Sequence, residues 1–545
     1  MKSLLPVPVL VFILLAAACA PATNGLNVDT PTASESTDTN SAYMNIWLPP
    51  YLPKSLTDNF LPSEGMIIVE HQEFADLKVD VSGEALVSEW IYALVAPFPT
   101  VNDSLSAQEL AAMWRGKPST DLPFNDLLVD GSTRAIFERL WGTASLGSVR
   151  EVAREDLLSE AWKGKNTWAI IPFEMLTPQW KVIAVDGQSP LNKDFDARAY
   201  PLAVPFSVVG DAHMIADFQS KFGSGSQTPV FPSTNREAGK LTTVMVTGVT
   251  ALTRGTAYLM ERNGMTYPAR DIGELLRSAD ILHISNEVPF TPTCPNPFAN
   301  PANDSNLIFC SKPEYIQLLE AIGTDVVELT GDHFRDWGEE AMFYTIDLYA
   351  QRGWQYYGGG RNYADGVEPA LFLHNGNKIA FLGCNAKPPG YAKASETSPG
   401  AVHCDMDLMA EKIREVSAQG YQPIFTFQHL EYYTHGINEK LAVDFHAAAE
   451  AGAVIVSGSQ AHIPHAFEFY RGAFIHYGLG NLFFDQYKES PAQRQAFIDV
   501  HVFYDNRYIG TELVTIQFVD LARPRLMTSE ERLELLEKIF SASGW

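Results

Sequence analysis

Between residues 241 and 520, short apolar runs rich in β-branched residues keep ending in side chains that carry chemistry. "ADILHISNEVPF" runs into Asn286 and Glu287, and "DVVELTGDHFRDWG" into Asp332 and His333. "PIFTFQHLEYYTHG" runs into His429 and Glu431, and "AVIVSGSQAHIPH" into Gln460 and His462. Runs of this length, alternating with helical stretches, describe strands joined by helical crossovers. An α/β fold of that kind gathers its strand ends along one edge, where loops are free to carry binding and catalytic groups. The pattern predicts an α/β fold and a site assembled from residues far apart in the chain.

The chain has 545 residues, too many for one ordinary core, so more than one domain is expected. At the N-terminus, Lys2 precedes an apolar run over 4–18 and then Cys19. That is a charged n-region, an h-region of secretory length and a small-residue cleavage site, and the run is short for a membrane span. "LAAAC" resembles the bacterial lipoprotein signal over 1–19, which implies cleavage just before Cys19 and lipidation of Cys19 as the first mature residue; an ordinary signal peptide is the alternative. Residues 20–42, Ser/Thr/Asn/Pro-rich, read as a flexible tether. Residues 43–222 alternate strand-like and helical patterns, 223–240 are a Gly/Ser/Pro-rich linker, 241–520 form a second domain, and 521–545 end in a short amphipathic helix. The expected location is the outer face of the cell membrane or the cell surface, held by the lipid.

A net charge of −26 argues against a nucleic-acid or anionic-lipid surface, since both require clustered Lys and Arg. Export makes disulfides permissible. Cys294, Cys310, Cys384 and Cys404 allow three pairings. The sequence-local one, Cys294–Cys310 and Cys384–Cys404, is the simplest, and the absence of any CxxC pair argues against a four-cysteine zinc site.

Two resemblances sharpen this. In 43–222, "DGSTRAIF" at Asp130–Phe137, together with Ser106 to Lys117, resembles the type 2 periplasmic substrate-binding fold, whose phosphate-binding branch opens a helix on an anion. The plainer reading of Ser132 is a helix cap. In 241–520, "NEVP" at 286–289, "HFRDWG" at 333–338 and "HIPHAFEFYRGAFIHYGLGNLFFD" at 462–485 resemble the CapA/PgsA-type bacterial capsule synthesis proteins, related to calcineurin-like metallophosphatases. This resemblance implies an α-β-β-α sandwich and a cluster of carboxylate, amide and imidazole groups around a divalent metal such as Mn, Mg or Zn. Carried over by position, Glu287, Asp332, His429 and His462 are metal ligands, His333 is the catalytic acid or base, and Asn286, Glu431 and Gln460 line the binding site.

Two departures weaken that site. Val249 stands where the family's first Asp is expected, and Gln460 where a His is expected. Val cannot coordinate, and Gln is a weak neutral donor. Glu431 has a structural alternative, an ion pair with an Arg such as Arg361. Two functional readings stay open. One is a surface lipoprotein of capsule, poly-γ-glutamate or other surface-polymer biosynthesis or export, acting as a metal-dependent hydrolase or transferase. The other is a non-catalytic ligand-binding or scaffolding lipoprotein whose partner is a surface polymer or small anionic ligand. The sequence leaves oligomeric state open.

Overall fold

The computed structural model describes residues 43–81, 85–119, 123–164, 166–298, 307–388, 390, 392–485 and 490–545. The leader, Cys19 and the tether therefore lie outside the described residues. Among those described, no helix is long and apolar enough to cross a membrane. Met44–Trp545 form one compact unit.

The first half builds a mixed sheet in the order Met66–Val69, Met44–Trp47, Leu77–Val81, Ala203–Gly210, Ala85–Pro97, Thr167–Pro172, Asp126–Val129, Val149–Glu151. The helix Ala107–Trp114 begins with the expected capping box, in which the Ser106 hydroxyl accepts from Glu109 N–H and the Glu109 carboxylate accepts from Ser106 N–H. At the helix Gly131–Trp141 the cap is Asp130, not Ser132: its carboxylate accepts from Thr133 N–H at 2.7 Å, while Ser132 Oγ donates to Tyr51 O. Asp130 also pairs with Arg154 at 2.9 Å, and Arg134 turns to Glu138 and Glu151. The place an anion would take at this helix start is occupied by the protein's own carboxylate.

The second half is a two-sheet sandwich with helices on both outer faces. One sheet runs Gln355–Tyr357, Val326–Glu328, Ile281–Asn286, Leu241–Thr247, Gln495–Tyr504, Arg507–Phe518, Pro524–Leu526. The other runs Ala370–His374, Asn377–Asn385, Gln422–Gln428, Ile455–Ser457, Ala473–His476, Phe467–Tyr470. Period-two alternation assigns each face. Ile281 and Val326 meet Ile379, Ile424 and Ile455 between the sheets, while Leu282, Ile284 and Val327 pack outward on Met342 and Ile346 of the helix Gly338–Ala350. Across the sandwich, Phe425 and Phe427 pack outward on Ile413 of Met406–Ala418 and Phe445 of Glu439–Ala451. Strands covered on both faces read as continuous apolar runs, which is what the sequence shows. The final helix, Ser529–Ala542, starts with a Thr528/Glu531 capping box and buries Leu535, Leu536, Ile539 and Phe540.

The cysteines pair locally, Cys294 with Cys310 and Cys384 with Cys404. With sequence separations of 16 and 20 between partners, each cross-link restricts the unfolded chain by about 3 kcal/mol. Replacing Cys294 and Cys310 together by Ala is expected to lower stability by about that amount in urea titration. A loss under about 0.5 kcal/mol would show the bridge to be idle.

Candidate cation and ligand site

The strands of the sandwich that matter run parallel. Ile281–Asn286 pairs in parallel with Val326–Glu328, and Asn377–Asn385, Gln422–Gln428 and Ile455–Ser457 form a parallel set. Their C-terminal ends deliver Glu287, Asp332 with His333, Lys387, Glu431 and His462 to one region.

Glu287, Asp332 and His333 each bring a ligand atom within 4.8 Å of the other two. Glu287 is 2% exposed, and its Oε2 has no hydrogen-bond partner among the described residues. Burial raises its carboxyl above the usual range, against the nearby His333 and His462. The approach of the Asp332 loop requires glycine at 331, because a Cβ there would lie 2.7 Å from Glu287 O. His333 is held through Nδ1 by Asp336 Oδ2 at 2.8 Å and packs on the Phe309 ring, centroids 4.6 Å apart. Phe309 N–H donates to the same Asp336 oxygen, so the Cys294–Cys310 bridge braces this corner. Burial opposes charging of His333, but the hydrogen bond to Asp336 and the charges of Glu287 and Asp332 prevail and lift it to about 9.

Beside this trio stands Lys387. Its Nζ donates to Asp332 Oδ2 at 2.8 Å and to Glu431 Oε1 at 2.6 Å. Burial would discharge it, yet Asp332, Glu431 and Glu287 hold its pKa above the usual lysine range. The other Asp332 oxygen accepts from Gln428 Nε2 at 2.7 Å; against the effect of burial, Lys387 keeps Asp332, and His462 together with Lys387 keeps Glu431, below the usual carboxylate range. Asn385 fixes the lysine's backbone by accepting from Lys387 N–H at 2.9 Å, and its own amide donates to Thr330 O. His462 Nδ1 meets Asn481 Oδ1 at 2.9 Å, leaving Nε2 3.8 Å from Glu431 Oε2. A cavity of about 350 Å³ opens alongside, lined by Asp332, His333, Asn385, Lys387, Lys393 and His403.

The other sequence candidates lie elsewhere. His429 follows the outward face of its strand: Nε2 lies 2.9 Å from Asp444 Oδ2, Nδ1 accepts from Leu430 N–H, and the ring neighbours Phe427 and Phe445. The same alternation points Gln428 inward to Asp332. Asn286 donates to Val288 O and Tyr349 OH, a structural turn. Gln460 Nε2 donates to Ser285 Oγ at 2.6 Å, and its Oε1 has no partner among the described residues. Val249 is fully buried, its N–H bonded to Gly480 O at 3.0 Å. The partner of Glu431 is Lys387, whereas Arg361 pairs with Asp347. Lys387 was missed in the sequence. Its signal is the run "KIAFLGCNAK", one more apolar strand ending in a charge.

Residues 243–486 match the family model described as bacterial capsule synthesis protein PGA_cap. The capsule biosynthesis protein CapA of Bacillus anthracis is 26% identical over 262 residues, 47% of this chain and 63% of that protein. The PGA biosynthesis protein CapA of Bacillus subtilis (strain 168) is 25% identical over 185 residues, 34% of this chain and 48% of that protein. The chain thus spans about half to two thirds of the length of these relatives. A 5'-nucleotidase precursor from Thermus thermophilus superposes with a TM-score of 0.30 at 10% identity, covering 54% of this chain and 58% of that one. A superposition at that score does not bear on chemistry. Residues 243–486, somewhat under half of the chain, thus form a domain similar to the bacterial capsule synthesis protein family PGA_cap and to the CapA proteins of that kind.

Proposed function

We propose that this protein acts in the biosynthesis or export of a capsule or poly-γ-glutamate-type surface polymer, anchored at the outer face of the membrane through Cys19. Its cleft holds one divalent cation beside a fixed ammonium and receives an anionic group of the substrate. The observation that carries this is the buried Glu287 Oε2, without a hydrogen-bond partner among the described residues and grouped with Asp332 and His333. A buried carboxylate oxygen left without a donor is costly unless a cation completes it. Two carboxylates and an imidazole suit Mn, Mg or Zn. When bound, such an ion supplies Lewis-acid polarisation and a lowered pKa for water.

The chain's own residues do the rest. Glu287, Asp332 and His333 hold the ion, with Asp336 orienting the imidazole. Lys387 and the cavity beyond it bind the anionic group. His462, its tautomer set by Asn481 and its Nε2 facing Glu431, carries a proton to or from the reacting oxygen or nitrogen. Val249 and the Gln460–Ser285 bond fill the positions where the family pattern expects further ligands, which limits the site to a single, weakly held ion.

A second reading, a non-catalytic binding lipoprotein, is favoured by Lys387 itself, because an ammonium already neutralises Asp332 and Glu431. Metal content after dialysis of the purified chain against Mn, Mg or Zn separates the two. One equivalent is expected, with affinity reduced at least 100-fold in Glu287→Ala, since even supporting residues of metal ligands cost 10- to 100-fold. Less than about a tenth of an equivalent would end the metal-dependent reading.

A further inference from the structure

Arg236 holds a buried positive charge that no carboxylate answers. The residue is 7% exposed, and no ion pair reaches it among the described residues. Burial pulls the guanidinium below its usual range, with Tyr504 acting against this. Its Nε donates to Pro190 O at 3.0 Å and its Nη2 to Asn192 O, and the group lies over the Phe195 ring, 4.7 Å from the centroid. Those two bonds use one edge of the fork. From Nη1, on the other edge, no hydrogen bond runs to any described residue. A free guanidinium edge is the shape that grips a carboxylate through two parallel hydrogen bonds.

A cavity of about 380 Å³ is lined by Arg236 together with Glu89, Ile91, Phe195, Ser233 and Thr234. Its wall is fixed before any ligand arrives. Glu89 N–H donates to Ser233 O at 2.8 Å, and the Asn235 amide brackets Ile91, accepting from its N–H at 2.7 Å and donating to its O at 2.9 Å. The Thr234 hydroxyl oxygen accepts from Arg236 N–H at 3.2 Å and keeps its own hydrogen to donate. Volume, apolar walls and a few fixed polar groups are those of a small-molecule site. Glu89, on the same wall, sets the charge: it repels a dianion more than a monoanion.

We propose that this cavity binds a small monocarboxylate, gripped by the free edge of Arg236 with its apolar body beside Ile91 and Phe195. The site shares no lining residue with the cleft at Asp332, so it stands or falls independently of the function proposed there.

Titration calorimetry of the full chain with benzoate tests this. One equivalent is expected, and Arg236→Gln should weaken it at least about tenfold, as the loss of a charge-assisted hydrogen bond does. Lys387→Met should leave the benzoate Kd within about threefold; a larger loss would place the anion in the other cleft and overturn the proposal. No saturable binding, or a Kd unchanged in Arg236→Gln, overturns it too. So does benzylammonium or inorganic phosphate binding within about threefold of benzoate. If Arg236→Gln does not fold, Glu89→Gln decides: benzoate should bind at least about threefold tighter, and an unchanged Kd would mean that the anion does not occupy this cavity.

Discussion

Gly248→Ala is expected to cost at least about 3 kcal/mol of stability and to weaken cation binding at the same time. A Cβ at residue 248 would stand 1.9 Å from Gly480 O and 2.9 Å from its carbonyl carbon. Both are backbone atoms, so no side chain can swing aside; one strand must move. That same oxygen accepts from Val249 N–H at 3.0 Å, and the short strand Val249–Thr250 is wedged between Asn481–Phe483 and Ile281–Asn286. Thr250 O in turn accepts from Glu287 N–H at 3.0 Å. A displacement at residue 248 therefore propagates through two hydrogen bonds to the carboxylate that anchors the cation trio. Gly239→Ala is the control: a Cβ there meets nothing within 4 Å, and stability should change by less than about 0.5 kcal/mol. Urea titration of both variants, paired with Mn²⁺ binding, reads the difference. A Gly248→Ala protein within about 1 kcal/mol of the parent would show that this contact does not set the strand position.

Acid is expected to destabilise the protein steeply between pH 6.5 and 4, and two histidines outside the cation trio account for much of it. Burial lowers both His465 and His501 to about 4. His501 also feels Asp499, which favours its charge, and His476, which opposes it; His465 is opposed by His476, His435 and His462. Each is held neutral in the fold, whereas an unfolded histidine charges near pH 6.5. Below that value the unfolded state takes up protons that the folded state refuses, so stability is full above about 6.5 and is lost as pH falls toward 4. By linkage each residue contributes roughly 3 kcal/mol across that window. His501→Phe should flatten the profile by about that amount, although it also loses the contact of Nδ1 with Thr511 Oγ1 at 2.8 Å and is less stable at neutral pH. Thermal midpoints measured from pH 4 to 7.5 would decide it. Parallel parent and His501→Phe curves would mean that the imidazole charges freely in the folded protein.

Much of the architecture can be read from local features. The strands of the sandwich are continuous apolar runs because helices and a facing sheet cover both sides. Alternation within "PIFTFQH" already separates Phe425, Phe427 and His429 from Ile424, Thr426 and Gln428, so the departure of His429 to Asp444 follows from the period of a strand. The disulfides are local because each closes a short loop. At Asp130–Phe137 the helix is capped by Asp130, the carboxylate that precedes it, and not by Ser132.

Apolar runs and their terminal residues are enough to show an α/β chain whose strand ends carry carboxylates and imidazoles, together with two residues, Val249 and Gln460, that cannot serve as strong ligands. The convergence of Glu287, Asp332 and His333, and the place of Lys387 between Asp332 and Glu431, come from the folding of the two sheets. Strand order and the approach of two sheets bring these groups together although Glu287 and Glu431 lie 144 positions apart in the chain. Whether a buried carboxylate is matched by an ammonium or left for a metal depends on ångström distances that no spacing along the chain encodes.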